Sequence, residues 1–269
     1  MIGVMINSIV CVKQVPDTEI RIEIEDGQVA EEKLQYVINP YDEYAIEEAL
    51  RLREKFGEGR ITVLTLGLEG AREAIMQALA VGADEAIHLV DEAFQGGDAY
   101  ATAKALAEAI VRLDLEYDII LCGKQGVDHD NAQVGIALAE MLNLPHVSLV
   151  TRLEVADDKS KATAQREVEG GKEVVETPLP AVITAQKGLN EPRYPTFKGI
   201  RAARKKPIHK KTATELGIDP RSAGAAGAKL EIISLSPPPE RSAGQIIPGN
   251  AAEACRELAR LLQEEAKVV

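Results

Sequence analysis

The residues best suited to chemistry lie in one loop. Gly123, Lys124, Gln125, Gly126, Val127, Asp128, His129 and Asp130 run directly into Asn131, Ala132, Gln133, Val134 and Gly135. The loop follows an apolar run at 117–122 (YDIILC) and leads into an amphipathic one at 131–142. A strand that feeds a helix start exposes unpaired backbone N–H groups and a partial positive charge, which together hold a phosphate. Gly123, Gly126 and Gly135 allow close backbone approach. Asp128, Asp130 and Asn131 are suited to cap the helix or orient a ribose. The same residues would equally serve a solvated, capped helix start that binds nothing.

Other segments should meet this loop. Residues 11–17 (CVKQVPD) follow the first apolar run, residues 39–42 (NPYD) open the first long helix, and Leu66-Gly67 ends the second strand. Four segments on one sheet edge form the pattern of an adenine-nucleotide pocket. No nucleophile motif competes. The chain has no GxSxG, no HExxH, no GxxxxGK[ST] and no GxGxxG after its first strand. His88, His129, His146 and His209 are scattered, and Cys11, Cys122 and Cys255 form no CxxC, so neither a metal site nor a disulfide framework is expected.

The elements that must position these residues alternate regularly. Apolar runs at 8–12, 61–66, 86–90, 117–122, 147–153 and 179–185 read as buried strands. Amphipathic segments at 39–56, 71–81, 98–113 and 131–142 read as helices, the first with Asn39 as N-cap and Pro40 at its first position. This alternation predicts a doubly wound α/β fold, a parallel sheet with helices on both faces. Residues 19–24 read as an edge strand with a turn at Asp26-Gly27, and Glu169-Gly170-Gly171 as a hairpin turn. Beyond 211 the chain is poor in core residues, with Pro237-Pro238-Pro239 and a final amphipathic helix at 250–266. Such a tail either embraces a partner or packs on its own domain.

Of the 269 residues, 45% are hydrophobic and 28% charged, enough for a packed core and a solvated surface. The net charge of -12 argues against nucleic acid, whose binding rests on Lys and Arg. The exception is 198–211, where Lys198, Arg201, Arg204, Lys205, Lys206, Lys210 and Lys211 occur without an acid. That run is either ordinary solvated surface or a docking patch for an acidic partner. No apolar run is long enough to span a bilayer and no signal peptide is evident, so a cytoplasmic location is expected.

The chain resembles the β subunits of electron-transfer flavoproteins. The likeness is carried by 10–18 (VCVKQVPDT), 39–52 (NPYDEYAIEEALRL), 82–89 (GADEAIHL) and 121–135 (LCGKQGVDHDNAQVG). It continues through 166–173 (REVEGGKE), 179–185 (LPAVITA) and 189–195 (LNEPRYP). The resemblance implies an adenine-nucleotide-hydrolase-like domain over 1–211 and an extended tail over 212–269 that packs on a larger α subunit. That partner would hold most of an FAD, shielded here by Tyr41 and the loop near Thr18. An AMP would contact Cys11, Asn39, Pro40, Tyr41, Asp42, Leu66 and the loop from Lys124 to Gly135. No side chain would do covalent chemistry, making the chain an electron carrier subunit rather than an enzyme.

The family has a second, electron-bifurcating branch, in which NADH feeds a second FAD in the AMP position. Ala132-Gln133-Val134-Gly135 resembles that branch, although Ile136 stands where it has Pro. The EGG hairpin, the NEPRYP segment and the tail at 236–244 resemble the ordinary branch. The comparison leans slightly toward a second FAD. Segment 189–206 resembles the family's recognition loop for acyl-CoA-type dehydrogenases, with Phe197 as apolar anchor. Arg193, Tyr194, Lys198, Arg201 and Arg204 would surround it. Two rivals share the fold class. An ATP pyrophosphatase would need an SGGxDS loop after the first strand, which is absent, and a stand-alone AMP-binding regulator would need no tail.

Overall fold

The computed structural model describes residues 5–25, 27–239, 244 and 246–268. Strand β1 (Ser8–Cys11) lies in the sheet's interior and all four of its residues are buried. A short β2 (Gln14–Pro16) follows, then β3 (Ile24–Glu25), β4 (Gln28–Val29) and β5 (Tyr36–Ile38). The expected edge strand at 19–24 is reduced to the two residues of β3, which pair with β4 alone. Charges alternating with isoleucine are not enough to hold a strand that no core element covers. Asp26, half of the predicted turn, lies outside the described residues. β2 pairs instead with β5, and this small ribbon carries the chain into α1 (Pro40–Phe56).

The remaining units alternate as the periodicity predicts. β6 (Ile61–Leu66), α2 (Arg72–Val81), β7 (Glu85–Leu89), α3 (Ala99–Arg112), β8 (Ile119–Gly123) and α4 (Val134–Met141) follow in turn. β9 (His146–Val155), β10 (Lys161–Val168) and β11 (Gly171–Pro178) then form an antiparallel meander, and Gly170 turns the hairpin at φ 79°. β12 (Ala181–Ala185) returns to the sheet's interior. After α5 (Phe197–Ala203), the edge strand β13 (Ile208–Lys211) pairs in parallel with β7. Charge concealed this strand in the sequence, because an edge needs only one covered face.

The sheet order is β11-β10-β9-β12-β8-β1-β6-β7-β13. From β1 the chain moves outward through β6 to β7, then returns to place β8 on β1's other side. The winding reverses between β1 and β8, and ligands bind at the carboxyl ends of strands at such a point. Alternation along each strand sends Val10 and Val12 to a core shared with α1 and α2, and Ile9 and Cys11 to a core shared with α3 and α4.

The tail leaves the domain abruptly. A four-residue helical turn, α6 (Gly224–Gly227), packs where small residues meet: an added Cβ on Gly97 would lie 3.2 Å from the Cα of Gly224. From Lys229 to Pro239 every residue is exposed. α7 (Ala251–Arg260) starts with a reciprocal cap between Asn250 and Glu253, yet buries no residue and leaves Leu258 48% exposed.

Candidate functional site

The exits of β1 and β8 are joined by one buried carboxylate. Asp42, on the first turn of α1, accepts from the backbone N–H of Lys13 (2.7 Å) and of Gly123 (3.1 Å), and from Asn39 Nδ2 (2.9 Å). Burial pushes its pKa up to about 7, despite those donors and the nearby Lys13 charge. Asn39 is 1% exposed and sits at the N-cap position, but its side chain does not cap α1. It donates to the Gln125 carbonyl (2.9 Å) and accepts from Val127 N–H (3.3 Å), tying the loop after β8 to the helix. Asn39 and Asp42 are therefore the framework of the site.

The framework encloses a cavity of about 290 Å³. Cys11 and Cys122, in register on adjacent strands, lie at its floor, with Leu64, Leu66, Phe94 and Leu106 as apolar walls. Lys13, Lys124, Gln125, Gly126, Asn131, Gln133, Val134 and Gly135 line its polar side. A second cleft of about 720 Å³ adjoins it, lined by Asp128, His129, the start of α3 and the tail segment from Ala225 to Ile232. Lys13 borders both spaces. Its Nζ lies 2.5 Å from Asp128 Oδ2, and His129 Nδ1 lies 3.0 Å from the same oxygen. Burial alone would raise the Asp128 pKa, but the bonds from His129 and Lys13 hold it well below the usual carboxylate range. The other oxygen, Oδ1, is buried without a partner.

Helix α4 starts three residues later than expected, at Val134, because Asp130 and Ala132 both take left-handed backbone angles of φ 51°. None of Asp128, Asp130 and Asn131 caps it, and the N-cap residue Gln133 makes no side-chain bond to the helix. The first N–H groups of α4 thus have no side-chain cap beside the cavity. The loop glycines serve the fold more than a ligand. A Cβ on Gly123 would meet Asp42 Oδ1 at 2.3 Å, one on Gly126 would meet Asp128 Oδ1 at 2.6 Å, and one on Gly135 would meet Thr184 Cγ2 at 2.9 Å.

Of the contacts expected from the sequence, Pro40, Tyr41, Val127, Asp130 and Ala132 line neither space. Tyr41 lies outside, its ring centroid 4.8 Å from Lys124 Nζ. The lining residues missed include Leu64 on β6, Phe94, Gly96 and Gly97 between β7 and α3, and Thr102 and Leu106 on α3. The signal was present in Gly96-Gly97-Asp98, a glycine loop before a helix cap. Asp98 caps α3 through Ala101 N–H (2.9 Å) and also holds the tail through the N–H groups of Lys229 (2.7 Å) and Leu230 (3.0 Å).

The residues expected to dock a partner differ in how free they are. Tyr194 and Phe197 are 91% and 90% exposed. Lys198, Arg201 and Arg204 are exposed beside them. Arg193, however, is engaged by Glu47 and Glu54 of α1. Lys206 donates to the carbonyls of Leu79 and Ala83, and Lys210 pairs with Glu69, so the basic run is less free than its sequence implies.

Among the described residues no helix is long and apolar enough to cross a membrane, and no group of three or more His, Cys, Asp or Glu could hold a metal ion. The family model described as "Electron transfer flavoprotein domain" matches residues 26–216. The chain is 44% identical to an electron transfer flavoprotein subunit beta of Thermoanaerobacterium thermosaccharolyticum, over 95% of this chain and 97% of that one. It is 40% identical to the subunit beta of Bacillus subtilis, over 98% and 100%, and 42% identical to that of Syntrophomonas wolfei, over 97% of each. Switch-point cavity, exposed tail and full-length likeness agree, and the chain belongs to the electron-transfer flavoprotein family, among its β subunits.

Proposed function

We propose that this chain is the adenylate-holding half of a heterodimeric electron carrier, whose α partner contributes most of the FAD site. The observation that carries the reading is the cavity at the β1/β8 switch. Its size is about 290 Å³, its walls are apolar, and it has a lysine and a helix start without a side-chain cap on its polar side. Leu64, Leu66, Phe94 and Leu106 suit an adenine ring. Lys13 and the first N–H groups of α4 suit a phosphate. Asp128, on the adjoining cleft, holds Lys13 at the border of the two spaces through its Oδ2. When bound, the flavin supplies all the redox chemistry, and the protein binds, orients and tunes it.

The exposed tail and the unburied α7 support an embrace of the α subunit, because such apolar residues are normally covered in an assembly. Tyr194 and Phe197, with the exposed cations beside them, support transient docking on an acidic acyl-CoA-type dehydrogenase. A second reading places a second FAD, fed by NADH, in this chain. The adjoining cleft of about 720 Å³ favours it, since it continues the cavity toward the tail. One experiment tests both. The heterodimer is denatured, and flavin and AMP are counted in the supernatant. One FAD with one AMP supports the ordinary carrier and two FAD the bifurcating one. One FAD without AMP would remove the pocket assignment, because that FAD belongs to the site the α partner contributes.

A further inference from the structure

Segment 189–196 has no regular structure of its own, yet it is held firmly. Asn190 Nδ2 donates to the Tyr44 carbonyl and to Glu48 Oε2, both at 2.9 Å. Arg193 forms a two-pronged pair with Glu47, through Nε (2.7 Å) and Nη2 (2.9 Å). Its Nη1 reaches Glu54 at 2.6 Å. The Glu47 side chain is only 4% exposed, so this pair is shielded from water on the α1 side. The next helix is fixed separately. α5 lies so close to α2 that a Cβ on Gly199 would fall 2.3 Å from the Ala80 carbonyl oxygen. Between these two fixed points, Tyr194 and Phe197 stand 91% and 90% exposed. Aromatic rings on a free loop would fold back onto apolar surface. Rings on a loop anchored at both sides cannot.

We infer that Arg193 is a positioning residue for dehydrogenase docking: its clamp on Glu47 and Glu54 holds Tyr194 and Phe197 outward, rather than contacting the partner. The inference rests on the docking role proposed above. Preordering the loop removes part of the entropy cost of association, so loosening it should weaken encounter while leaving electron transfer in the formed complex intact.

The test uses the purified heterodimer as electron acceptor for an acyl-CoA dehydrogenase supplied with its acyl-CoA, together with amide hydrogen exchange over 194–204. Arg193→Lys, which keeps the charge and loses the fork, should raise KM for the heterodimer by about tenfold, with kcat and flavin content unchanged and exchange accelerated. Glu54→Ala, which spares the buried Glu47 pair, should act in the same direction with a smaller effect, and serves if Arg193→Lys does not fold. Phe197→Ala separates the two levels. Wild-type KM for Phe197→Ala would refute the docking role itself. A raised KM for Phe197→Ala, with wild-type KM for both clamp variants despite faster exchange, would overturn the positioning role alone. Loss of flavin, or a fall in kcat at unchanged KM, in the clamp variants would also overturn it.

Discussion

Asparagine at position 42 would isolate the electrostatics of the framework that joins β1 and β8. The Asp42 carboxyl is 5% exposed, and burial lifts its pKa from 3.8 to about 7. A folded-state pKa above the unfolded one means that folding favours the protonated form. The associated stability is complete below the unfolded value, declines as pH rises toward 7, and is gone above it. At about 1.4 kcal/mol per pKa unit, the wild type should lose about 3 kcal/mol between about pH 5 and about pH 8, relative to a side chain that does not titrate. In a chain of this size 1 kcal/mol corresponds to roughly 2 °C in Tm. Asp42→Asn should begin less stable, because its amide must oppose one of three N–H donors, at a cost of about 1–3 kcal/mol. Its Tm should then gain on the wild type by about 6 °C between the two pH values. Paired calorimetric scans at both values measure this. Cys122, beside the carboxyl, is common to both proteins, and its contribution largely cancels. A Tm difference that stays constant with pH would refute the argument.

Asp128→Ala should free Lys13 and the loop, and adenine nucleotide should be lost on gel filtration; undiminished nucleotide content would count against the pocket. Asp98→Ala removes the cap of α3 and the clasp on the tail together. It should cost about 1 kcal/mol in urea unfolding and speed proteolytic cleavage just beyond Ala228, and an unchanged cleavage rate would show that the tail is held elsewhere. Ala132→Gly relieves a left-handed alanine at φ 51°. It should stabilise the chain by about 1 kcal/mol in the same assay, and any loss of stability would contradict the strain.

Much of the fold was legible because parallel strands buried on both faces must be continuously apolar. Runs such as SIVC, ITVL and IILC, separated by amphipathic helices, leave few alternatives to a wound sheet. The segments converging on the site followed from that winding. The strand expected at 19–24 was over-read and the strand at 208–211 missed for one reason: an edge strand is decided by what lies beside it, and charged residues neither require nor forbid a neighbour.

Residue types and spacing alone thus determined the winding, the carboxyl edge and the loop from Gly123 to Gly135. They also determined the absence of a recognisable nucleophile motif. Only the tertiary structure decided what each polar group does there. Asp42 and Asn39, expected as ligand contacts, line the cavity and also hold the strand ends and the loop after β8 together. Arg193 looked like a free cation and is committed to α1. Asp98, at the start of the expected helix, caps it and also grips the tail. A carboxylate or guanidinium takes whichever partner the fold brings within hydrogen-bond distance, and those partners lie up to 146 positions away along the chain. Local sequence carries no record of that distance, so chemistry could be read from it while the choice of partner could not.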